Sequence, residues 1–273
     1  MTIGLSPIVV DFGPVAIRWA GLFGLLGLGL AVWLTIRQAQ RAGVRAARSS
    51  VLDALAWGLP LGIVTARLVH LLGWWDYYLT RSAELWQAPH IDGLALWGGL
   101  VGGALIVAAR LRRDPTRRRR VLDAAAPAAL IGIAVGRLGE FLEGQGQGVP
   151  TDLPWGTQYS DPLAATPDFG LMRHPAQLYD ALAALLIAVV VLRVPRSLSP
   201  GTRAALALVL YGAVRIALGG VRLEPAFLFG LQLEQLLAAG TVICGVWFGV
   251  RPRLRRPLAA VARRPEERDP LAA

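Results

Sequence analysis

Seven apolar stretches, each close to the length that crosses a bilayer, constrain this chain more than any other feature. They lie at about 15–36, 53–73, 93–109, 121–142, 176–195, 203–221 and 228–250. A helix needs roughly 20 mainly apolar residues to cross about 30 Å of hydrocarbon. The third stretch is short and glycine-rich. No composition break divides the chain, so the reading is a single integral membrane domain over 1–273, all-α and polytopic, with seven transmembrane helices. A chain 55% hydrophobic with a formal net charge of +10 is a poor soluble domain. The start, "MTIGLSPIVVDFGPV", lacks the basic region and small-residue cleavage site of a signal peptide.

The basic residues test this reading. All 28 are arginine. Arg37–Arg48, Arg110–Arg120, Arg193–Arg203 and the tail at 251–273 put 21 of them in alternate connections, and the opposite connections hold only Arg81, Arg173 and Arg222. The positive-inside rule then places the N-terminus outside and the C-terminus in the cytoplasm. A nucleic-acid role for "RRDPTRRRR" is the rival, but its place in the alternation favours topology and attraction to anionic lipid headgroups. No nucleic-acid partner is expected.

Four arginines remain inside spans: Arg18, Arg67, Arg137 and Arg215. Each costs roughly 2.5–3.5 kcal/mol at a helix centre on insertion scales. Asp53, Asp123, Glu140, Glu143, Asp180 and Glu234 lie within spans or near their ends, so pairing that only fixes helix packing is one explanation. As a set, the arginines point instead to a polar cavity for an anionic group such as a phospholipid headgroup, because guanidinium stays charged and binds phosphate bidentately. "GLFGLLGLG" (21–29) and "GGLVGG" (98–103) are small-residue rows that let helices approach. The single cysteine, Cys244, excludes a disulfide framework and is expected to pack. No metal cluster, nucleotide loop or cofactor motif stands out. Two outward loops are large. The one at about 74–92 has the aromatics of a membrane interface, and the one at about 143–175 reads by composition as an irregular surface segment.

The motifs together resemble the bacterial phosphatidylglycerol–prolipoprotein diacylglyceryl transferases, from about residue 13 to about 250. The family's Gly-Arg-x-Gly-Asn-Phe corresponds to Gly136, Arg137, Leu138, Gly139, Glu140 and Phe141. "GVPTDLPWG" (148–156) and "RHPAQLYDAL" (173–182) look like two further family segments. Arg67 in "TARLVHLL", Asp123 with Pro127, and Arg215 in "YGAVRIAL" fit three more.

The resemblance implies transfer of a diacylglyceryl group from phosphatidylglycerol to the lipobox cysteine thiol of a prolipoprotein signal peptide, releasing glycerol phosphate. It implies an inner-membrane enzyme, among membrane lipids, with its site facing the outer leaflet and no cofactor or metal. Arg137 is the first candidate to stabilise the departing phosphate, with Arg215 and Arg67 supporting. Glu140 and His174 are further catalytic candidates. His174 is a candidate base or, alternatively, orders the junction at Pro175, and His70 is a second histidine to consider. Gly139, Gln177, Tyr179 and Asp123 complete the substrate-binding set. Asp180 is placed to hold an arginine, and Tyr211 to pack.

Several positions depart from the family pattern. Glu140 stands for an Asn, Trp97 for the His of a His-Gly-Gly element, and Ala20 for a Tyr. Gly219 stands for an acidic residue four after Arg215. An active but divergent transferase, with Glu140 supplying the lost carboxylate, competes with a family-like protein that binds phospholipid without catalysis. A small transporter is a third reading, but neither repeats nor broken helices are evident.

Overall fold

A computed structural model describes residues 1–13, 16–81, 96–166 and 168–254, except the side chains of residues 96 and 251–254. The described residues form eight helices: α1 (Trp19–Arg41), α2 (Ala47–Gly73), α3 (Trp75–Thr80), α4 (Leu96–Arg110), α5 (Pro115–Glu143), α6 (Ala176–Arg193), α7 (Thr202–Gly219) and α8 (Leu233–Leu254). Six of them, α1, α2, α5, α6, α7 and α8, are long and apolar enough to cross a membrane. The protein is therefore a polytopic all-α membrane protein.

The described part of the expected third span is α4, 15 residues long, and its expected start at 93 lies outside the described residues. His90 and Trp86 of the expected first outward loop, and the arginines of the tail beyond 254, lie outside the described residues. The first and last spans begin later than expected, because short hairpins precede them. β2 (Ile8–Asp11) pairs antiparallel with β3 (Ala16–Arg18) before α1. β5 (Ala226–Leu228) pairs with β6 (Leu231–Gln232) before α8. Helix α5 is longer than its apolar core because its ends are well capped. The Asp114 carboxylate accepts from the Arg117 amide at 2.8 Å, Pro115 opens the first turn, and Gly144 closes the last at φ +86°.

Helix α5 is the centre of the bundle, packed on α1, α6 and α7, while α2 pairs with α4 and α7 with α8. Small residues face inward and large apolar ones face lipid. Ala128, Ala134, Ala184 and Ala188 are buried, whereas Leu25, Leu182, Leu186 and Ile243 are exposed. The small-residue rows work as expected. A methyl added at Gly27 would lie 2.4 Å from the Gly132 carbonyl, and one at Gly98 would strike the backbone of Thr65 and Ala66.

The loop at 143–175 is not irregular, and that expectation is corrected. β4 (Gln158–Tyr159) pairs in parallel with β1 (Thr2–Ile3). Arg173 bridges to Pro150 and Thr157, and Gly148 to Arg222. Tyr159 is buried and donates its hydroxyl to the Phe141 carbonyl at the end of α5. Backbone pairing of scattered residues, which leaves no periodic pattern in sequence, turns this loop into a cap over one end of the bundle.

Candidate active site

Under that cap, α5, α6, α7 and α8 each contribute charge to one chain of ion pairs. Glu140 accepts from Arg137 Nη1 at 2.5 Å. Arg137 Nε lies 2.8 Å from Asp180 Oδ2, and the same oxygen accepts from Arg215 Nη1 at 2.6 Å. Arg215 Nη2 donates to Glu234. Arg222 follows, with Nε 3.9 Å from Glu234 and Nη2 3.4 Å from Glu224. Three guanidinium groups thus alternate with four carboxylates. Asp180 is fully buried, and without its two arginines its charge would be untenable at that depth.

The series borders a cavity of about 780 Å³. Arg137, Glu140, Arg222, Glu224 and Glu234 line its polar side together with Gln145 and Gln147. Gly24, Leu28 and Ala31 of α1, Val69 of α2, Leu100 of α4 and Ile133 of α5 make its apolar side. One site therefore offers hydrocarbon walls and a guanidinium-bearing end.

The structure sorts the expected residues. Arg137 and Glu140 are on the cavity. Arg215 stands behind it, 2% exposed, with Asp180 and Glu234 in front. Gln177 is buried and donates to the Gln145 carbonyl at 2.6 Å, so it supports the rim. Arg67 is half-buried over the Tyr78 ring and does not line the cavity.

Four expected residues lie off the cavity lining. Gly139 is a packing position, because a methyl there would lie 2.6 Å from Phe23 Cβ and 2.7 Å from the Trp19 carbonyl. Tyr179 accepts from the Trp155 indole at 2.7 Å and contacts His174 Nδ1 at 3.1 Å, away from the cavity. His174 accordingly orders the loop-to-helix junction. Asp123 lies 14 residues before Arg137 on α5, about 21 Å away along the axis. There its carboxylate caps α7, accepting from the amides of Gly201 at 2.6 Å and Ala204 at 2.9 Å.

Glu143 does not join Glu140. It is fully buried, accepts from Arg18 Nη1 at 2.9 Å and from the Ala20 amide at 3.0 Å, and so braces the start of α1 against the end of α5.

Sequence reasoning missed Arg222, Glu224 and the central position of Glu234. Arg222 does lie in a connection beyond the end of α7 at Gly219, as its sequence position implies, but its bridge to Gly148 brings it back to the cavity. His70, in contrast, does line the cavity, with Nε2 3.2 Å from the Tyr78 hydroxyl.

Two of the departures have visible surroundings. Trp97 is buried against Tyr211, with ring centroids 6.0 Å apart, and brings no ionisable group to the cavity. At Gly219 a side chain would meet Gln235 at 2.4 Å. The Gln235 side chain would have to move aside for an acidic residue there, and Glu234, one residue before Gln235, supplies the carboxylate to Arg215.

A bundle of membrane helices around a part-apolar cavity with a buried guanidinium end defines an integral membrane protein equipped for an amphiphilic anion. Comparison with known proteins then gives the family. The model of the prolipoprotein diacylglyceryl transferase family matches residues 7–251, and the chain belongs to this family. Phosphatidylglycerol–prolipoprotein diacylglyceryl transferases of Streptococcus pyogenes strains Manfredo and NZ131 are each 30% identical over 260 residues, 93% of this chain and 98% of each relative.

Proposed function

We propose that this protein moves the diacylglyceryl group of phosphatidylglycerol onto the lipobox cysteine of a prolipoprotein at the outer leaflet, the first step of lipoprotein maturation. The observation that carries this reading is Arg137, a guanidinium 5% exposed on the polar side of a cavity whose opposite side is apolar. Acyl chains suit that apolar side, and the phosphate suits the guanidinium end.

The cysteine sulfur attacks the glyceryl carbon that bears the phosphate. A carbon–sulfur bond forms, the carbon–oxygen bond breaks, and its electron pair leaves on the oxygen of glycerol phosphate. Arg137 faces the charge that grows on that oxygen, and Arg222 flanks it. Arg215 and Asp180 act from behind by fixing Arg137 in place.

The thiol proton needs an acceptor on the cavity. Glu224 is the best suited. Its one ion-pair contact among the described residues, with Arg222, is long at 3.4 Å, and burial pushes its carboxyl above the usual carboxylate range. Glu140 is held at 2.5 Å by Arg137 and is less available.

Transfer of labelled phosphatidylglycerol to a lipobox peptide by the purified protein tests the proposal, with rescue of a strain depleted of its own transferase as the cellular counterpart. A protein that inserts and binds phosphatidylglycerol yet never forms the thioether is a binder and not a transferase.

A further inference from the structure

A second cavity, of about 420 Å³, lies at the opposite end of the bundle, where α1 ends, α5 begins and the α6–α7 connection turns. Arg41, Arg120, Arg196 and Arg203 line it, with Asp123 as the only acidic residue among its lining groups. That carboxylate is committed to the amides that open α7. Arg203 is buried and donates Nε and Nη2 to the carbonyls of Val194 and Leu192, with Asp123 as its one nearby counter-charge among the described residues. Arg41, Arg120 and Arg196 form no ion pair among the described residues. This cavity therefore holds several positive charges and almost no counter-charge.

Gln38 is the second, independent observation. It lines the same cavity, is 7% exposed, and its Oε1 is buried with no hydrogen-bond partner. An orphan amide acceptor at that depth is costly and fits a hydroxyl donor from a ligand. The depth of the cavity defines the ligand further. Arg41 is the last residue of α1, and Arg120 stands one residue before the apolar run of α5 begins at Val121. Both mark the edge of the hydrocarbon, where the phosphates of lipid headgroups lie.

We infer that this cavity binds the headgroup of an anionic phospholipid of the leaflet opposite to the active site, its phosphate among the arginines and a headgroup hydroxyl on Gln38. The inference stands apart from the proposed activity, since the site shares no residue with the Arg137 cavity.

Native mass spectrometry of the full-length protein, titrated with phosphatidylglycerol, phosphatidylcholine or inorganic phosphate, tests it. The wild-type protein is expected to take up a phosphatidylglycerol that an Arg120→Ala/Arg196→Ala variant binds about tenfold or more weakly, as the loss of two interfacial cations predicts. Phosphatidylcholine binding and peptide lipidation stay unchanged. Gln38→Leu, which keeps the arginines, is expected to weaken phosphatidylglycerol more than phosphatidic acid, which lacks the headgroup hydroxyls. Equal phosphatidylglycerol binding by the wild-type protein and both variants overturns the inference. Inorganic phosphate that competes as well as the lipid also overturns it, because the occupant is then a free anion.

Discussion

Arg215 and Arg203 sit on the same helix, twelve residues apart, and both are buried. Their partners differ in kind. Arg215 holds two carboxylates, Asp180 and Glu234, whereas Arg203 donates to main-chain carbonyls at the end of α6. A carboxylate partner is itself an anion, so the Arg215 end is a series of paired charges in which a phosphate can compete for a guanidinium. A carbonyl partner carries no net charge, so Arg203 serves as a helix clasp whose charge is balanced only by the neighbouring Asp123 among the described residues. One end of α7 thus carries paired opposite charges and the other a cation held by neutral carbonyls, although both ends read in sequence as an arginine near an apolar run.

The comparison breaks most visibly at the paired-charge end. Arg137→Ala is expected to lower transfer to a lipobox peptide by about 10²–10³-fold, the usual cost of losing a preorganised charge stabiliser, while the protein still inserts. A variant within a few-fold of wild type would remove Arg137 from the chemistry. Glu224→Gln is expected to cost about 10²-fold in transfer. Its pH profile carries the sharper sign. The base must be ionised, so wild-type activity climbs as pH rises through the elevated Glu224 value, and the variant lacks that limb. Stability runs the other way. A raised carboxyl favours the fold when protonated, so that contribution is present at low pH and lost as pH rises through the folded-state value. Thermal unfolding of the Gln variant should lose less stability over that window.

At the carbonyl end the effect moves to stability. Arg203→Ala leaves the Leu192 and Val194 carbonyls without their donor and is expected to cost about 1–3 kcal/mol, with transfer per folded molecule unchanged. Gly219→Glu restores the family's acidic residue but displaces the Gln235 side chain from the Ile216 carbonyl, and a lost hydrogen bond of this kind costs about 0.5–1.5 kcal/mol. Pairing it with Gln235→Ala should add little further cost in thermal unfolding, because both changes remove the same hydrogen bond. The smallest effect belongs to Glu140→Asn, which removes a competitor for the Arg137 guanidinium. Activity equal to wild type or above is expected, and a large loss would give Glu140 a catalytic part of its own.

Much of the fold was legible because bilayer thickness sets a length that composition reveals at once. The small-residue rows named the right contacts, since close approach of two backbones admits only glycine or alanine. Motif resemblance singled out Arg137 and Glu140, and the expectation that Asp180 holds an arginine matches a geometry in which it holds two. The rest of the site is assembled from four helices, and that escaped linear reading. Glu234 reaches Arg215 from 19 residues away. Asp123 carries a family-like motif yet faces the other end of the bundle, because 14 helical residues separate it from Arg137. His174 and Tyr179 match their motif closely and bind each other.

By itself the sequence determined the membrane class, the central arginine and the family pattern, all of which rest on local composition or on short contiguous motifs. Only the tertiary structure decided which charges meet. An arginine in a membrane helix must find a partner, but burial says nothing of whether that partner is a carboxylate or a carbonyl. The packing of α5 on α6 and α7, and of α7 on α8, settles it, placing shared carboxylates at one end of the bundle and main-chain carbonyls at the other.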